Sequence, residues 1–367
     1  MKKVLQLEPI STWLPTNNQP VIISGPCSAE TEEQTVTTAK QLAATGKIHA
    51  LRAGIWKPRT RPGQYEGSGE EGLKWLATAK KETGLPITTE VANAAHVEAA
   101  LKAGVDILWV GARTTVNPFS VQEVADSLKG VDIPVMVKNP INPDLELWIG
   151  ALERLNKAGI TKLAAIHRGF SSFEKGPFRN APMWDMSIEI KTRIPELDII
   201  CDPSHIAGNR ELIALISQKA LDMNMAGLMI ESHINPDAAW SDAKQQITPA
   251  VLAKIVEGLV VRKASSEDKT FKDTLSVLRE QIDQLDDEIM SRLASRMKIS
   301  EKIGQYKKDN NVTILQVNRW EEIIQTRVTL AKAMGLSDQF ASELLKLIHN
   351  ESIQIQTKVM NQVAERV

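Results

Sequence analysis

Eight short runs rich in β-forming residues, ending roughly 29 residues apart, limit this chain's fold more than any other feature. They span 21–28, 49–55, 86–91, 107–113, 134–139, 162–169, 198–205 and 227–233. A step of that length holds one strand and one helix. Intervening stretches such as AAHVEAALKAG and LWIGALERLNKAG are amphipathic and end in Gly, as connecting helices do. Nearly continuous apolar strands alternating with helices suit a parallel sheet covered on both faces. Eight such units predict an α/β fold, a (β/α)8 TIM barrel. An open doubly wound sheet is the alternative, because sequence does not show closure.

The barrel pattern stops near residue 260. All seventeen prolines lie at or before Pro249, eighteen of the twenty glycines at or before Gly258, and seven of the eight tryptophans at or before Trp240. The stretch RKASSEDKTFK that follows is polar and has no apolar period, which marks a linker. We divide the chain into a barrel at 1–262, a linker at 263–272 and a helical domain at 273–367. In the last part Leu275, Leu278, Ile282, Leu285, Ile289 and Leu293 recur at steps of three and four, one face of a long helix that the turn residues Asp309, Asn310 and Asn311 would end. A second helix is expected over 317–334, closed by Gly335, and a third from Ser337, a natural N-cap. A first helix of nearly forty residues is too long for two short partners to cover, so an all-α three-helix domain shared across a dimer is expected.

Bulk properties exclude several classes. With 44 Lys+Arg against 45 Asp+Glu the net charge is −1, so neither a nucleic acid nor a membrane surface is an expected partner. Two cysteines cannot build a disulfide framework, and the N-terminus lacks a signal-peptide apolar core. No apolar run approaches the roughly 18 residues of a membrane span. A cytoplasmic location is the expectation.

In such a barrel chemistry sits at the C-terminal strand ends. Six cations fall there: Arg52, Lys57, Arg59, Arg113, Lys138 and Arg168. Their mutual repulsion is unfavourable unless anions occupy the cluster, and Arg offers bidentate forks to phosphate and carboxylate. Each alone could instead pair with a nearby carboxylate on a solvated loop. A second set on the same rim is Cys27, His205, Glu231 and Asp242, a sulfur, an imidazole and two carboxylates suited to a divalent transition metal. Taken singly, Cys27 could be a small buried hydrophobe, His205 a core histidine and Asp242 a helix cap. Cys201 reads as packing, and His233, His167 and His96 are weaker candidates for ligands.

The motifs GPCS at 25–28, RAGIWKPRT at 52–60, GAR at 111–113, HRG at 167–169, DPSH at 202–205 and IESH at 230–233 make residues 20–262 resemble 3-deoxy-D-arabino-heptulosonate 7-phosphate (DAHP) synthase, in its shorter subgroup. Sister enzymes making eight-carbon 3-deoxy sugar acids carry an Asn-containing segment where this chain has Pro58, Arg59 and Thr60. The resemblance implies condensation of phosphoenolpyruvate with erythrose 4-phosphate and release of phosphate. It implies Cys27, His205, Glu231 and Asp242 as ligands of a divalent metal, Mn2+ foremost, with Co2+, Fe2+ or Zn2+ as alternatives. Arg113, Lys138 and Arg168 would grip phosphoenolpyruvate, with Arg52 and Lys57 beside its carboxylate and Lys57 counted as catalytic. Pro58, Arg59 and Thr60 would hold the erythrose phosphate, and Glu90 would favour the cation or the water at carbon 2. One departure is Arg61, where the family often has Ser or Thr.

Residues 275–358 are similar to the all-helical chorismate mutases. On period alone the apolar seam either continues onto Arg292, Arg296 and Lys307 or drifts to Leu293 and Met297, leaving the charges solvated. The resemblance makes Arg279, Arg296, Lys307, Arg319, Ser352 and Gln356 site residues. Arg279 and Arg296 would clamp the two carboxylates of chorismate, Arg279 coming from the partner subunit. Lys307 and Gln356 would donate to the ether oxygen, with Arg319 and Ser352 completing the site. Two departures, Gln316 and Trp320, stand where some members carry acids that contact the substrate hydroxyl.

The resulting expectation is a bifunctional enzyme of aromatic amino-acid synthesis, at least a homodimer through its helical domain, acting on phosphoenolpyruvate, erythrose 4-phosphate and chorismate or prephenate. Feedback by prephenate or chorismate on the barrel is expected from the fusion. One alternative makes the helical tail only a dimerisation and regulatory module, and another makes the barrel an aldolase of a different kind.

Overall fold

In a computed structural model of the chain the first and last strands pair side by side, from Val21↔Gly227 to Gly25↔Glu231, and this closes a ring of eight parallel strands. The open sheet is thereby excluded. The structure describes residues 5–16, 19–58, 63–173, 176–263 and 265–361. Around the ring run β1 (Val21–Gly25), β2 (Ala50–Arg52), β3 (Ile87–Val91), β4 (Ile107–Val110), β5 (Val135–Lys138), β6 (Leu163–His167), β7 (Asp198–Cys201) and β8 (Gly227–Glu231). Most predicted runs overshoot their strands at the C-terminal end. Ala112–Thr115 and Pro203–Ala207, read as strand ends, are single helical turns. At the second of these Pro203 cannot extend a ladder, and the Asp202 carboxylate accepts from His205 N at 3.1 Å to start the turn.

Side chains alternate inward and outward along each strand. Ile23, Ala50, Ile107, Trp109, Met136, Ala164, Ile166, Ile200 and Met229 fill the interior as one apolar cluster. Two positions beyond Ala50, Met136, Ile166, Ile200 and Met229 stand Arg52, Lys138, Arg168, Asp202 and Glu231. The alternation that builds the core therefore also stacks a charged layer on top of it. In β1 the same level is Gly25, at φ +153°, where a Cβ would lie 2.0 Å from the Arg52 carbonyl oxygen. At the other end the short helix Ile10–Trp13 forms a floor: Ile10 and Leu14 join the interior cluster, and Ile10 N donates to Asp198 Oδ2 at 2.7 Å.

Four of the surrounding helices begin on matched caps. The side-chain oxygens of Thr31, Asn93, Asp144 and Thr248 each accept from the amide three residues on. The apolar faces of the surrounding helices, Leu42, Leu76, Val121 and Trp148 among them, pack on outward strand residues such as Ile22, Leu51, Leu108 and Val137. Trp148 is fully buried and donates Nε1 to Val137 O at 3.1 Å, so its truncation to Ala would cost about 3–5 kcal/mol.

Residues 265–367 form a second compact unit beside 1–264 in the chain. It consists of the helices Lys269–Asp309, Val317–Ala333 and Asp338–Asn361, with no strand among the described residues. The long helix starts inside the segment read as linker, because Asp268 accepts from Phe271 N at 2.6 Å and caps it at Lys269. Gly335, at φ +86°, follows the second helix, and Ser337 Oγ accepts from Phe340 N at 3.2 Å ahead of the third. The long helix packs on the third through Ser300 and Gly304 against Ser352 and Gln356. A Cβ at Gly304 would stand 3.1 Å from Gln356 Cα, so the two backbones approach closely. Further towards its N-terminus Leu278, Ile282, Leu285 and Ile289 are 51–58% exposed, an apolar seam that no described residue covers. Among the described residues no helix is long and apolar enough to cross a membrane.

Candidate active sites

At the C-terminal mouth of the barrel the donor atoms of Cys27, Glu231 and Asp242 lie within 4.8 Å of one another. Cys27 follows β1 and is fixed by its backbone, N donating to Gln246 Oε1 at 2.9 Å. Its Sγ is 3.5 Å from Asp242 Oδ2. Asp242 takes a left-handed backbone, φ +49°, and its other oxygen accepts from Arg179 Nη1 at 3.0 Å. His205 stands at the edge of this trio: Nδ1 faces Asp202 Oδ2 at 2.8 Å, and Nε2 is 3.8 Å from Glu231 Oε1.

These residues fit a divalent cation. Glu231 Oε1 is buried and, among the described residues, accepts no hydrogen bond; Arg52 Nη1 stands 3.1 Å and His205 Nε2 3.8 Å from it. One sulfur, one imidazole nitrogen and carboxylate oxygens form a set typical of transition-metal sites, and a carboxylate on the far ring nitrogen of a ligating histidine is the usual support. Burial and the neighbouring Glu231 push the Cys27 thiol up to about 12, against the pull of Lys57, so without added positive charge the sulfur keeps its proton. Burial opposes the charge on Asp242 too, but His205, Arg179 and Lys57 outweigh it and hold the carboxyl well below its usual range. Asp202 is likewise held low, by His205 and Lys138 against burial.

The cations divide into two groups. Arg52 and Lys138 are in ion pairs, with Glu231 at 3.1 Å and Asp202 at 3.0 Å, but these are buried at the strand ends and not on a solvated loop. Both lie near the Trp109 ring, at 4.9 and 5.6 Å from its centroid. Lys57 Nζ is turned to Cys27, 2.5 Å from its carbonyl oxygen and 3.0 Å from Sγ. Arg168 differs: it is buried, bonds Asn180 Oδ1 at 2.9 Å, and among the described residues meets no carboxylate at ion-pair distance. Burial lowers its guanidinium to about 10, and Arg179 and Arg113 add to the effect while Asp202 offsets part of it. Arg113 is exposed on the turn after β4, and Pro58 is exposed at the rim. Arg59 and Thr60 lie outside the described residues. Glu90 accepts from Trp109 Nε1 at 2.9 Å.

Sequence reasoning missed Trp109, Asp202 as a support, Arg179 and Gln245. The first two were recoverable from inward alternation. Gln245, which accepts from Arg179 at 2.6 Å and donates to Glu231 Oε2 at 2.7 Å, sits in a loop with no periodic signal. The weaker ligand candidates have other partners. His233 faces Glu30 at 3.4 Å, His96 stacks on Trp56 at 3.9 Å, and His167 is enclosed by Trp148, Phe170 and Trp184. Cys201 is buried in the core around the barrel.

In the helical unit Arg296 Nη1 donates to Ser352 Oγ at 2.5 Å, and Ser300 Oγ reaches the same hydroxyl at 3.3 Å. Gln356 is buried one turn further on, its Oε1 without a hydrogen bond. Lys307 bonds the Ile314 carbonyl. Met297 also touches Ser352, at 3.8 Å, so the seam does drift, yet it carries Arg296 inward with it. Arg319 is exposed and pairs with Glu322 at 2.6 Å. Arg279 is exposed as well, seventeen residues before Arg296 on one helix, which at 1.5 Å per residue separates them by roughly 25 Å. One chain cannot bring both to one small molecule.

A closed (β/α)8 barrel with a donor set for a cation and a buried guanidinium that no described carboxylate pairs at ion-pair distance defines the class as an enzyme of small anionic substrates. The model of the DAHP synthetase I family matches residues 11–264, and that of type II chorismate mutase matches 278–357. Phospho-2-dehydro-3-deoxyheptonate aldolase of Thermotoga maritima is 33% identical over 237 residues, covering 64% of this chain and 68% of its own. A 2-dehydro-3-deoxyphosphooctonate aldolase of Polaromonas naphthalenivorans is 26% identical over 266 residues, covering 65% and 88%. A solved structure of the Thermotoga DAHP synthase superposes with TM-score 0.59 at 31% identity, over 66% of this chain and 68% of that one. The chain belongs to the DAHP synthetase I family and carries a chorismate mutase domain after the barrel, making it a bifunctional enzyme of the shikimate pathway, a transferase of the aldolase kind and an isomerase.

Proposed function

We propose that the barrel condenses phosphoenolpyruvate with erythrose 4-phosphate in a metal-dependent reaction, and that the helical domain rearranges chorismate to prephenate as a dimer and passes feedback to the barrel. The observation that carries the barrel reading is Arg168, buried beside other cations and, among the described residues, with no carboxylate at ion-pair distance, a site that an anionic substrate would neutralise. With Arg113 and Lys138 it would grip phosphoenolpyruvate, while Arg52 and Lys57 lie beside the carboxylate. Pro58, Arg59 and Thr60 are assigned to the aldehyde's phosphate. Carbon 3 of the enol attacks the aldehyde carbon, and Glu90, fixed by Trp109, stabilises the positive charge left at carbon 2 or orients the water that quenches it. Cys27, His205, Glu231 and Asp242 would hold the divalent metal, Mn2+ as our first choice, which supplies Lewis acidity towards the aldehyde oxygen. Both cysteines are free, which suits a reducing cytoplasm.

Chorismate needs only a compact conformer and charge at the breaking ether bond. Arg296, Ser352 and Gln356 converge as that requires, and Arg279 of a second copy would supply the other carboxylate clamp. A tail used solely for dimerisation has no need of a cation turned inward onto Ser352. Prephenate or chorismate in this site is the proposed inhibitor of the barrel.

One paired assay tests the scheme: EDTA should stop the condensation and leave the rearrangement untouched. Condensation that survives full metal removal would refute the metal assignment. Prephenate inhibition that persists in the full-length Arg296→Ala variant would refute the feedback route.

A further inference from the structure

One polar group beside Ser352 has no role in the scheme above. His349 lies three positions before Ser352 and seven before Gln356 on the third helix, so the three share a face. Its ring stacks on Trp320 of the second helix, centroids 4.1 Å apart and planes 19° from parallel. From the long helix Arg296 and Lys307 act on the same ring. Burial first, then these two charges, keep the imidazole below its ordinary range and therefore neutral at pH 7. No described residue hydrogen-bonds its ring nitrogens.

Chorismate presents two carboxylates, an ether oxygen and a ring hydroxyl. The cations and Gln356 answer the first three, and the Ser352 hydroxyl is already engaged by Arg296 and Ser300. A hydroxyl is matched by a neutral group that can both donate and accept, which an imidazole does. We infer that His349, held flat against Trp320, contacts the ring hydroxyl of chorismate and makes the mutase selective for it. This rests on the mutase reading of the domain. Trp320 is then a positioning residue, acting through the histidine.

The test compares kcat/KM of the full-length protein for chorismate and for the analogue lacking that hydroxyl, in wild type, His349→Ala, His349→Gln, Trp320→Phe and Trp320→Ala. His349→Ala should lose on the order of tenfold on chorismate and under threefold on the deoxy analogue. Gln, which also donates and accepts, should restore part of the difference. Trp320→Phe should keep the selectivity and Trp320→Ala lose it. Equal losses on both substrates, or no loss on either, would overturn the assignment. A wild type inert towards chorismate that still performs the condensation would overturn the mutase reading and this inference with it.

Discussion

The carboxylate of Asp202 holds the imidazole of His205 by Nδ1, at 2.8 Å, which leaves Nε2 as the nitrogen facing Glu231. Lys138 braces the same carboxylate at 3.0 Å. In the proposed metal site the orientation of His205 would thus be set from outside the donor set. Asp202→Asn keeps the shape and the helix cap but weakens this hold, and should reduce Mn2+ affinity about 10–100-fold. Titration of metal-stripped protein checks it; an unchanged Kd would refute the support role.

Neither thiol should react while the protein is folded. Cys27 is fully buried with its thiol near 12, and burial raises Cys201 as well. Ellman titration at pH 8 is expected to find no fast-reacting thiol in metal-stripped native protein and both after denaturation. Rapid labelling of Cys27 would show the mouth to be open to solvent in a way the packing denies.

Arg168→Lys retains a charge but loses the planar fork, and Arg168→Ala loses both. We expect kcat/KM of the condensation to fall by about 10²-fold or more for Ala, with Lys recovering only part. Steady-state kinetics over phosphoenolpyruvate concentration measures it. Full recovery by Lys would mean that the site needs a point charge alone.

Burial drives the His167 imidazole down to about 3, whereas the unfolded chain titrates near 6.5. Between those values the unfolded state binds a proton that the native state refuses, so stability falls with falling pH, by about 1.4 kcal/mol per unit from this group. Above pH 6.5 both states are neutral and the contribution is flat. Urea denaturation of wild type and His167→Phe at pH 7, 6 and 5 should show a shallower decline in the variant.

The exposed seam Leu278, Ile282, Leu285 and Ile289 predicts a second copy along the long helix. Ile282→Glu should yield monomers in sedimentation equilibrium, abolish the rearrangement by withdrawing Arg279, and leave the condensation measurable. A fully active monomer would require another source for the second clamp.

The barrel was readable because its period is coarse and its strands are apolar throughout, and the mouth because alternation carries Arg52, Lys138 and Glu231 to one level. Glu231 belongs to the same level, Cys27 follows the end of β1, and Asp242 was nameable only as a residue of the loop after the last strand. What escaped were contacts between loops far apart in the chain. Arg179 meets Asp242 and Gln245 through turns that no periodicity specifies, and the floor helix Ile10–Trp13 is four residues long. His205 ended on a helical turn, at the margin of the trio, since β7 stops at Cys201, four residues before the end of the run read at 198–205, and Pro203 opens the turn. In the helical domain the seam was ambiguous because one face packs on the third helix and, further along, is left exposed.

Cys27 follows the first strand, Glu231 ends the last and Asp242 lies in the loop beyond it, and Gly25↔Glu231 is a rung of the pairing that closes the ring. A partly formed barrel cannot assemble the donor trio, since 215 residues separate Cys27 from Asp242. Ring closure is the slow, long-range step of such a topology. A cation bound across β1 and β8 would act as a latch on it: the metal would slow unfolding by holding the seam shut, and its release would be the first event when the ring opens.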